Sequence, residues 1–154
     1  MSVTVAGQNS IMHGLSCIGW NMRCRFSTSL VYFHEKIFCN DIACISEHGL
    51  YKCELKKLDH LHPDFSCHAM ASKHLDDNNF GKVGQQGYGG TAIFWRKSLS
   101  SRIKVMLELC SDRFCVIQFV TDTKQKIYFI SMYLPHQTCK IDSFYVVLVE
   151  LRRI

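Results

Sequence analysis

Three polar residues stand just past short apolar runs, and their chemistry is complementary: Asn21 after LSCIGW, Glu47 after IACIS, and Tyr133 after IYFISM. A carboxylate such as Glu47 is what a hard divalent cation takes, together with water and substrate phosphate oxygens. Asn21 offers an amide that can orient a phosphate or a carboxylate. Tyr133 offers a phenol that can donate a hydrogen bond to a phosphate oxygen as charge develops there. Each has a plainer explanation alone: the polar start of a loop for Asn21 and Glu47, a core aromatic for Tyr133. Ends of strands are where α/β sheets collect ligands, which gives the trio its interest.

Other groups are weaker candidates. His60-x-His62 with His68 and His74 matches no zinc signature, and no two cysteines form a C-x-x-C pair, so no zinc is expected. The glycines from Gly81 to Gly90 fit neither a P-loop nor a dinucleotide fingerprint and are followed by a strand, so they read as a turn or a substrate-facing loop. Arg96, Lys97 and Arg102 cluster around one turn. A solvated charged rim is the simpler reading, contact with a phosphate backbone the functional one.

The elements that must position these residues follow from periodicity. Leu15 to Met22 alternates as a strand. Ser27-Thr28-Ser29 offers an N-cap before a helical stripe of Leu30, Phe33, His34, Ile37 and Phe38. Asp41 to Ile45 is a buried strand, so the chain opens as a βαβ-like unit. Tyr51, Leu55, Leu58 and Leu61 form a second helical stripe, stopped by Pro63. Strands are expected over Phe65 to Met70, Thr91 to Arg96, Ile103 to Leu109, Arg113 to Thr121 and Lys126 to Leu134, the last two as an antiparallel hairpin. Ala71 to Gly90 is a long surface loop, and Ile141, Phe144, Tyr145, Leu148 and Leu151 suggest a closing helix. Helices first and consecutive strands later argue for a mixed α/β sheet with helices on one face.

Composition narrows the class. The 154 residues suit one domain, and 47% hydrophobic residues can fill a core. A formal charge of +5 suits a polyanionic partner without marking a dedicated nucleic-acid binder. The 9 cysteines, an odd number, several inside apolar runs, favour a reducing, intracellular setting, nuclear or cytoplasmic. Residues 1–13 read as a flexible leader with neither the basic nor the apolar region of a secretory signal. No apolar run is long enough to span a bilayer, so no membrane partner is expected. Oligomeric state is not legible.

Four segments in order resemble the endonuclease/exonuclease/phosphatase superfamily, closest to the endonuclease domain of non-long-terminal-repeat retrotransposon polyproteins: LSCIGWNMR, DIACISEHGL, GYGGTAIFWRKSL and IYFISMYLPH. The resemblance runs from about Leu15 onward, with 14–154 as the amino-terminal portion of such a domain. It implies a four-layer α/β/β/α sandwich and Mg²⁺-dependent (or Mn²⁺-dependent) hydrolysis of a DNA phosphodiester. By it, Glu47 is the metal ligand, Asn21 supports metal and phosphate, and Tyr133 contacts the scissile phosphate.

The departures bear on competence. Ser46 stands where the family usually has Gln. No Asp-x-Asn follows Tyr133, and no Asp-His pair stands near the carboxyl end. Asp77-Asn78-Asn79 and Asp59-His60 fit those patterns only literally, in a polar loop and in the second helix. The expectation is a truncated chain that supplies one mixed sheet with an apolar inner face left bare, and that is weakly active or inactive. The alternative is a non-catalytic transposon-derived remnant or binding half-domain with residual polyanion affinity.

Overall fold

The computed structural model describes residues 14–71 and 89–134. The expected leader (1–13), most of the glycine-rich loop with His74 and Asp77 to Asn79 (72–88), and the expected closing helix (141–151) lie outside the described residues.

Four strands form a mixed sheet in the order β1-β2-β4-β3: β1 Cys17–Asn21, β2 Ile42–Ser46, β3 Phe65–Met70 and β4 Thr91–Arg96. β1 and β2 are parallel, pairing Cys17 with Ile42 through to Asn21 with Ser46. β4 runs antiparallel to both β2 and β3. Along β2, Ala43 and Ile45 face the helices while Ile42 and Cys44 face the other way. Both faces are covered, so the strand reads as an unbroken apolar run instead of alternating.

The βαβ opening forms, with a different helix from the one its residues suggest. Ser27–Ser29 is a 3-10 turn, Leu30–Tyr32 is α-helical and Phe33–Ile37 is π-helical. The Phe38 N–H closes the wide turn on the Phe33 carbonyl at 2.9 Å. No side chain caps the start, because Phe26 is already helical, and the Thr28 hydroxyl donates back to Arg25. Phe33, Ile37 and Phe38 are buried, whereas Leu30 and His34 stay exposed. The second stripe is a short helical segment, Lys52–Glu54 then Lys56–Asp59, that buries Leu58. Phe33 is the hub of the helix-facing core, meeting Trp20, Phe26, Phe38 and Phe94 at ring separations of 5.6 to 6.4 Å. Aromatic contacts of this kind add about 0.5–1.5 kcal/mol beyond area burial.

The expectation of a bare inner face is corrected. The chain supplies a second, antiparallel sheet in the order β5-β6-β7: β5 Ile103–Val105, β6 Phe114–Val120 and β7 Lys126–Met132. The 3-10 segment Lys97–Arg102 turns the chain out of the first sheet before β5 starts. Ile42, Ile93, Trp95, Cys115 and Ile117 then pack between the two sheets, with Cys44 and Phe129 against them. The buried Ser131 hydroxyl of β7 donates to the Ile45 carbonyl of β2 at 2.5 Å. The expected mixed sheet with helices on one face is present, and the described residues make three layers, α/β/β.

The strand expected over Ile103 to Leu109 is also shorter than its apolar content suggested. It ends at Val105, and Leu107–Leu109 is a 3-10 turn. Met106 and Leu109 leave the strand to cover Phe114 and Val116 on the outer face of the second sheet. Among the described residues no helix is long and apolar enough to cross a membrane.

Candidate metal and phosphodiester site

The parallel pairing of β1 with β2 sets Asn21 beside Ser46, so the residues after each strand leave the sheet together. The ladder continues into the loops: Met22 N–H donates to the Ser46 carbonyl at 2.9 Å, and Cys24 N–H to the Glu47 carbonyl at 2.8 Å. The Asn21 amide Nδ2 donates to Glu47 Oε1 at 2.8 Å. Its Oδ1 accepts the Arg23 backbone N–H at 2.8 Å. A backbone N–H can only donate, so this second bond fixes which way the amide faces. Asn21 therefore turns its NH₂ group, a donor, toward the carboxylate.

Glu47 itself has a φ of 56°, in the left-handed region, as do Arg23 at 50° and Cys24 at 57°. Such a conformation costs a non-glycine residue about 1–3 kcal/mol and persists only where neighbours over-determine it. They do so here from both sides. On the β1 side are the bonds just described. On the other, His48 is fully buried (0% exposed). Its Nδ1 accepts the Leu50 N–H at 3.0 Å and its Nε2 lies 3.2 Å from the Met70 carbonyl. That pattern requires the neutral ring with the proton on Nε2. Burial pushes the His48 pKa down to about 4, against the hydrogen bonds to the Met70 and Thr91 backbone. Gly49 N–H reaches the Gly89 carbonyl at 2.9 Å. Gly90, at φ +83°, lies so close that a Cβ there would stand 2.4 Å from His48 Cε1. Sequence reasoning missed this support. The His-Gly after Glu47 and the Gly-Gly before β4 were its signals, but only their contact explains them.

Tyr133 follows β7 of the second sheet. Its N–H donates to the Arg113 carbonyl at 3.0 Å, extending the β6–β7 hairpin. In sequence, Tyr133 and Glu47 each stand two residues beyond the Ser131–Ile45 bond that joins the sheets. Arg96 and Arg102 do not join the site. Arg96 Nε is 3.1 Å from Asp41 Oδ1, at the other end of β2, and Asp41 Oδ2 also accepts from Ser16 N–H and Oγ. Arg102 Nε donates to the Val120 carbonyl at 2.8 Å and pairs with Asp122. Both guanidiniums are structural clamps between elements.

No protein-family model and no curated protein matches the sequence. Solved structures do match. Over 88% of this chain, the fold is similar to the endonuclease domain of TRAS1, a telomere-specific non-LTR retrotransposon (TM-score 0.54, 12% identity). It is similar over the same share to the AP endonuclease LMAP from Leishmania major (TM-score 0.60, 12% identity) and the Xenopus laevis APE2 catalytic domain (TM-score 0.58, 13% identity). The chain shares its fold with these endonuclease structures. It spans about half the length of these neighbours: 50%, 46% and 51%.

Within this fold, the donor set at the ends of β1 and β2 fits a hard cation in part. Glu47 supplies a carboxylate with one oxygen held by Asn21, and the remaining coordination of Mg²⁺ is ordinarily water and substrate phosphate. Asn21 fits less well as a direct ligand, because the group it turns toward Glu47 is a donor. With a cation on Glu47, Asn21 would be an outer partner that fixes the carboxylate.

Proposed function

We propose that this chain is a portion of a Mg²⁺- or Mn²⁺-dependent phosphodiesterase of the DNA endonuclease type, with Glu47 as metal ligand, Asn21 as the residue that orients it, and Tyr133 as a donor to the scissile phosphate. The observation that carries the reading is the Asn21–Glu47 hydrogen bond beside a left-handed Glu47, on a fold shared with endonucleases. Glu47 would hold the cation, and the chemistry supplied there would be polarisation of the phosphoryl oxygen and stabilisation of the leaving group. The chain's own residues contribute orientation. Asn21 holds one Glu47 oxygen, the left-handed turn aims the carboxylate out of the sheet, and buried His48 keeps that turn in place. Tyr133 contributes a phenolic O–H to a phosphate oxygen as negative charge builds. The net charge of +5 favours approach of a DNA backbone.

These residues include neither the Asp-x-Asn after Tyr133 nor the Asp-His pair that the resemblance calls for. That favours a second reading: a non-catalytic binding half-domain, with cation and polyanion affinity and no turnover. Nicking of supercoiled plasmid separates the two. Nicking that needs Mg²⁺, stops in EDTA and disappears in Glu47→Ala makes the chain a nuclease as it stands. Salt-sensitive DNA binding without nicking above the Glu47→Ala level supports the binding reading. Mg²⁺-dependent nicking unchanged in Glu47→Ala contradicts both assignments of Glu47.

A further inference from the structure

A second group of metal-ligating side chains lies away from Glu47. His68 belongs to β3 of the mixed sheet, Cys115 to β6 of the second sheet, and Cys110 to the turn that precedes β6. The turn is tight: Ser111 N–H donates to the Phe114 carbonyl at 2.9 Å and Arg113 N–H to the Ser111 hydroxyl at 3.2 Å. It folds Cys110 back so that the Val116 N–H points at its sulfur, 3.4 Å away. Cys115 comes from the face of β6 that packs on the mixed sheet, and its sulfur is 3.3 Å from the His68 carbonyl. One ring nitrogen of His68 and the sulfurs of Cys110 and Cys115 thereby lie within 4.8 Å of one another. Among the described residues, His68 Nε2 is buried with no hydrogen-bond partner. An unmet buried nitrogen costs about 1–3 kcal/mol, which a metal ion bound here would relieve.

We propose that His68, Cys110 and Cys115 form a binding site for Zn²⁺ that ties the two sheets together, separate from the Glu47 site. Two thiolates and one imidazole are soft to borderline ligands, which select zinc over magnesium, whereas Glu47 offers hard oxygen. Ligand atoms around a tetrahedral zinc lie about 3.5–3.8 Å apart, so the three need to draw in by about 1 Å. Cys110 is partly exposed, which leaves the fourth position open to water. Binding releases the thiol protons to solvent and consumes no oxidant. A Cys110–Cys115 disulfide is the competing fate of this pair, and it would leave the His68 nitrogen unmet. The spacing gave no hint of the site, because its ligands come from two sheets.

The test is zinc content and Co²⁺ spectroscopy on the full chain, purified under reducing conditions without chelator. One zinc per chain is expected, replaceable by Co²⁺ with a thiolate-to-metal charge-transfer band. Cys110→Ser and His68→Gln should each lose the equivalent with the circular dichroism spectrum retained. Glu47→Ala and the double variant of exposed Cys39 and Cys53 to Ser should keep it. A folded wild-type chain that takes up no zinc, a charge-transfer band that survives Cys110→Ser, or an intact mass short by two hydrogens with a Cys110–Cys115 crosslink would overturn the site.

Discussion

The Asn21 amide donates to Glu47 Oε1 at 2.8 Å while its own oxygen is held by the Arg23 N–H, so the side chain has a single orientation, and that orientation serves the carboxylate. Outer partners of this kind typically contribute 10–100-fold to metal affinity. Asn21→Ala should weaken Mn²⁺ binding by about that factor. Thermal stability should change little, because the side chain is exposed. Loss of folding in Asn21→Ala would show instead that the bond holds the two strand ends together.

Glu47 keeps a backbone conformation that glycine adopts freely, with φ 56°. Glu47→Gly should therefore raise stability by up to about 1 kcal/mol while removing the ligand, the exchange of function for stability expected at a strained site. Denaturant midpoints of the wild type and the variant check it. A marked fall in stability would mean that the Asn21 bond outweighs the strain.

His48 links the fold to pH. Its pKa is near 4 in the folded chain against about 6.5 when unfolded, so the unfolded state binds the extra proton between those values. The stability this group confers is whole above about pH 6.5, declines as pH falls below it, and is gone by about pH 4, at about 1.4 kcal/mol per pH unit within the window. Urea midpoints at pH 7 and pH 5 measure it, and His48→Gln should flatten that segment of the curve. Gly90→Ala tests the same contact sterically. Its Cβ would meet the ring at 2.4–2.9 Å from a φ of +83°, and the cost should exceed about 2 kcal/mol.

Cys110 and Cys115 should differ in reactivity. The Cys110 thiol is drawn down to about 5, first by hydrogen bonding with the Cys115 thiol and then by neighbouring His68 and Val116, against its partial burial, whereas Cys115 is pushed well up. In the metal-free chain, iodoacetamide at neutral pH should label Cys110 ahead of Cys17 and Cys44, whose thiols are raised to about 11 and about 12 by burial. Peptide mapping after brief labelling reads the order. Labelling of Cys44 before Cys110 would contradict it.

Much of this was legible along the chain because it depends on local pattern. β3 and β4 coincide with their apolar runs, the β6–β7 hairpin flanks its turn, and Asn21 and Glu47 stand at strand ends as their sequence context implied. What was hidden depends on contacts between distant segments. Nothing in IKVMLEL shows that Met106 and Leu109 cover Phe114 and Val116, so the strand looked longer than it is. The run of strands did not show that Lys97–Arg102 redirects the chain into a second sheet. The His48–Gly90 contact joins two loops that are distant in sequence, one of which read as a turn or a substrate-facing loop. Arg96 and Arg102 read as a charged rim because their partners are distant in sequence, Asp41 just before β2 and Val120 at the end of β6.

Glu47 as a cation ligand is the claim on which the functional reading turns, and turnover tests it only indirectly because the general-base residues are not among these. Mn²⁺ binding, followed by the loss of the free-ion electron paramagnetic resonance signal, tests it directly, since a hard ion discriminates against the cysteine cluster. The wild-type chain should bind one Mn²⁺ that Mg²⁺ displaces, and Glu47→Ala should bind none with its fold intact. Equal binding by a folded Glu47→Ala chain would contradict the assignment.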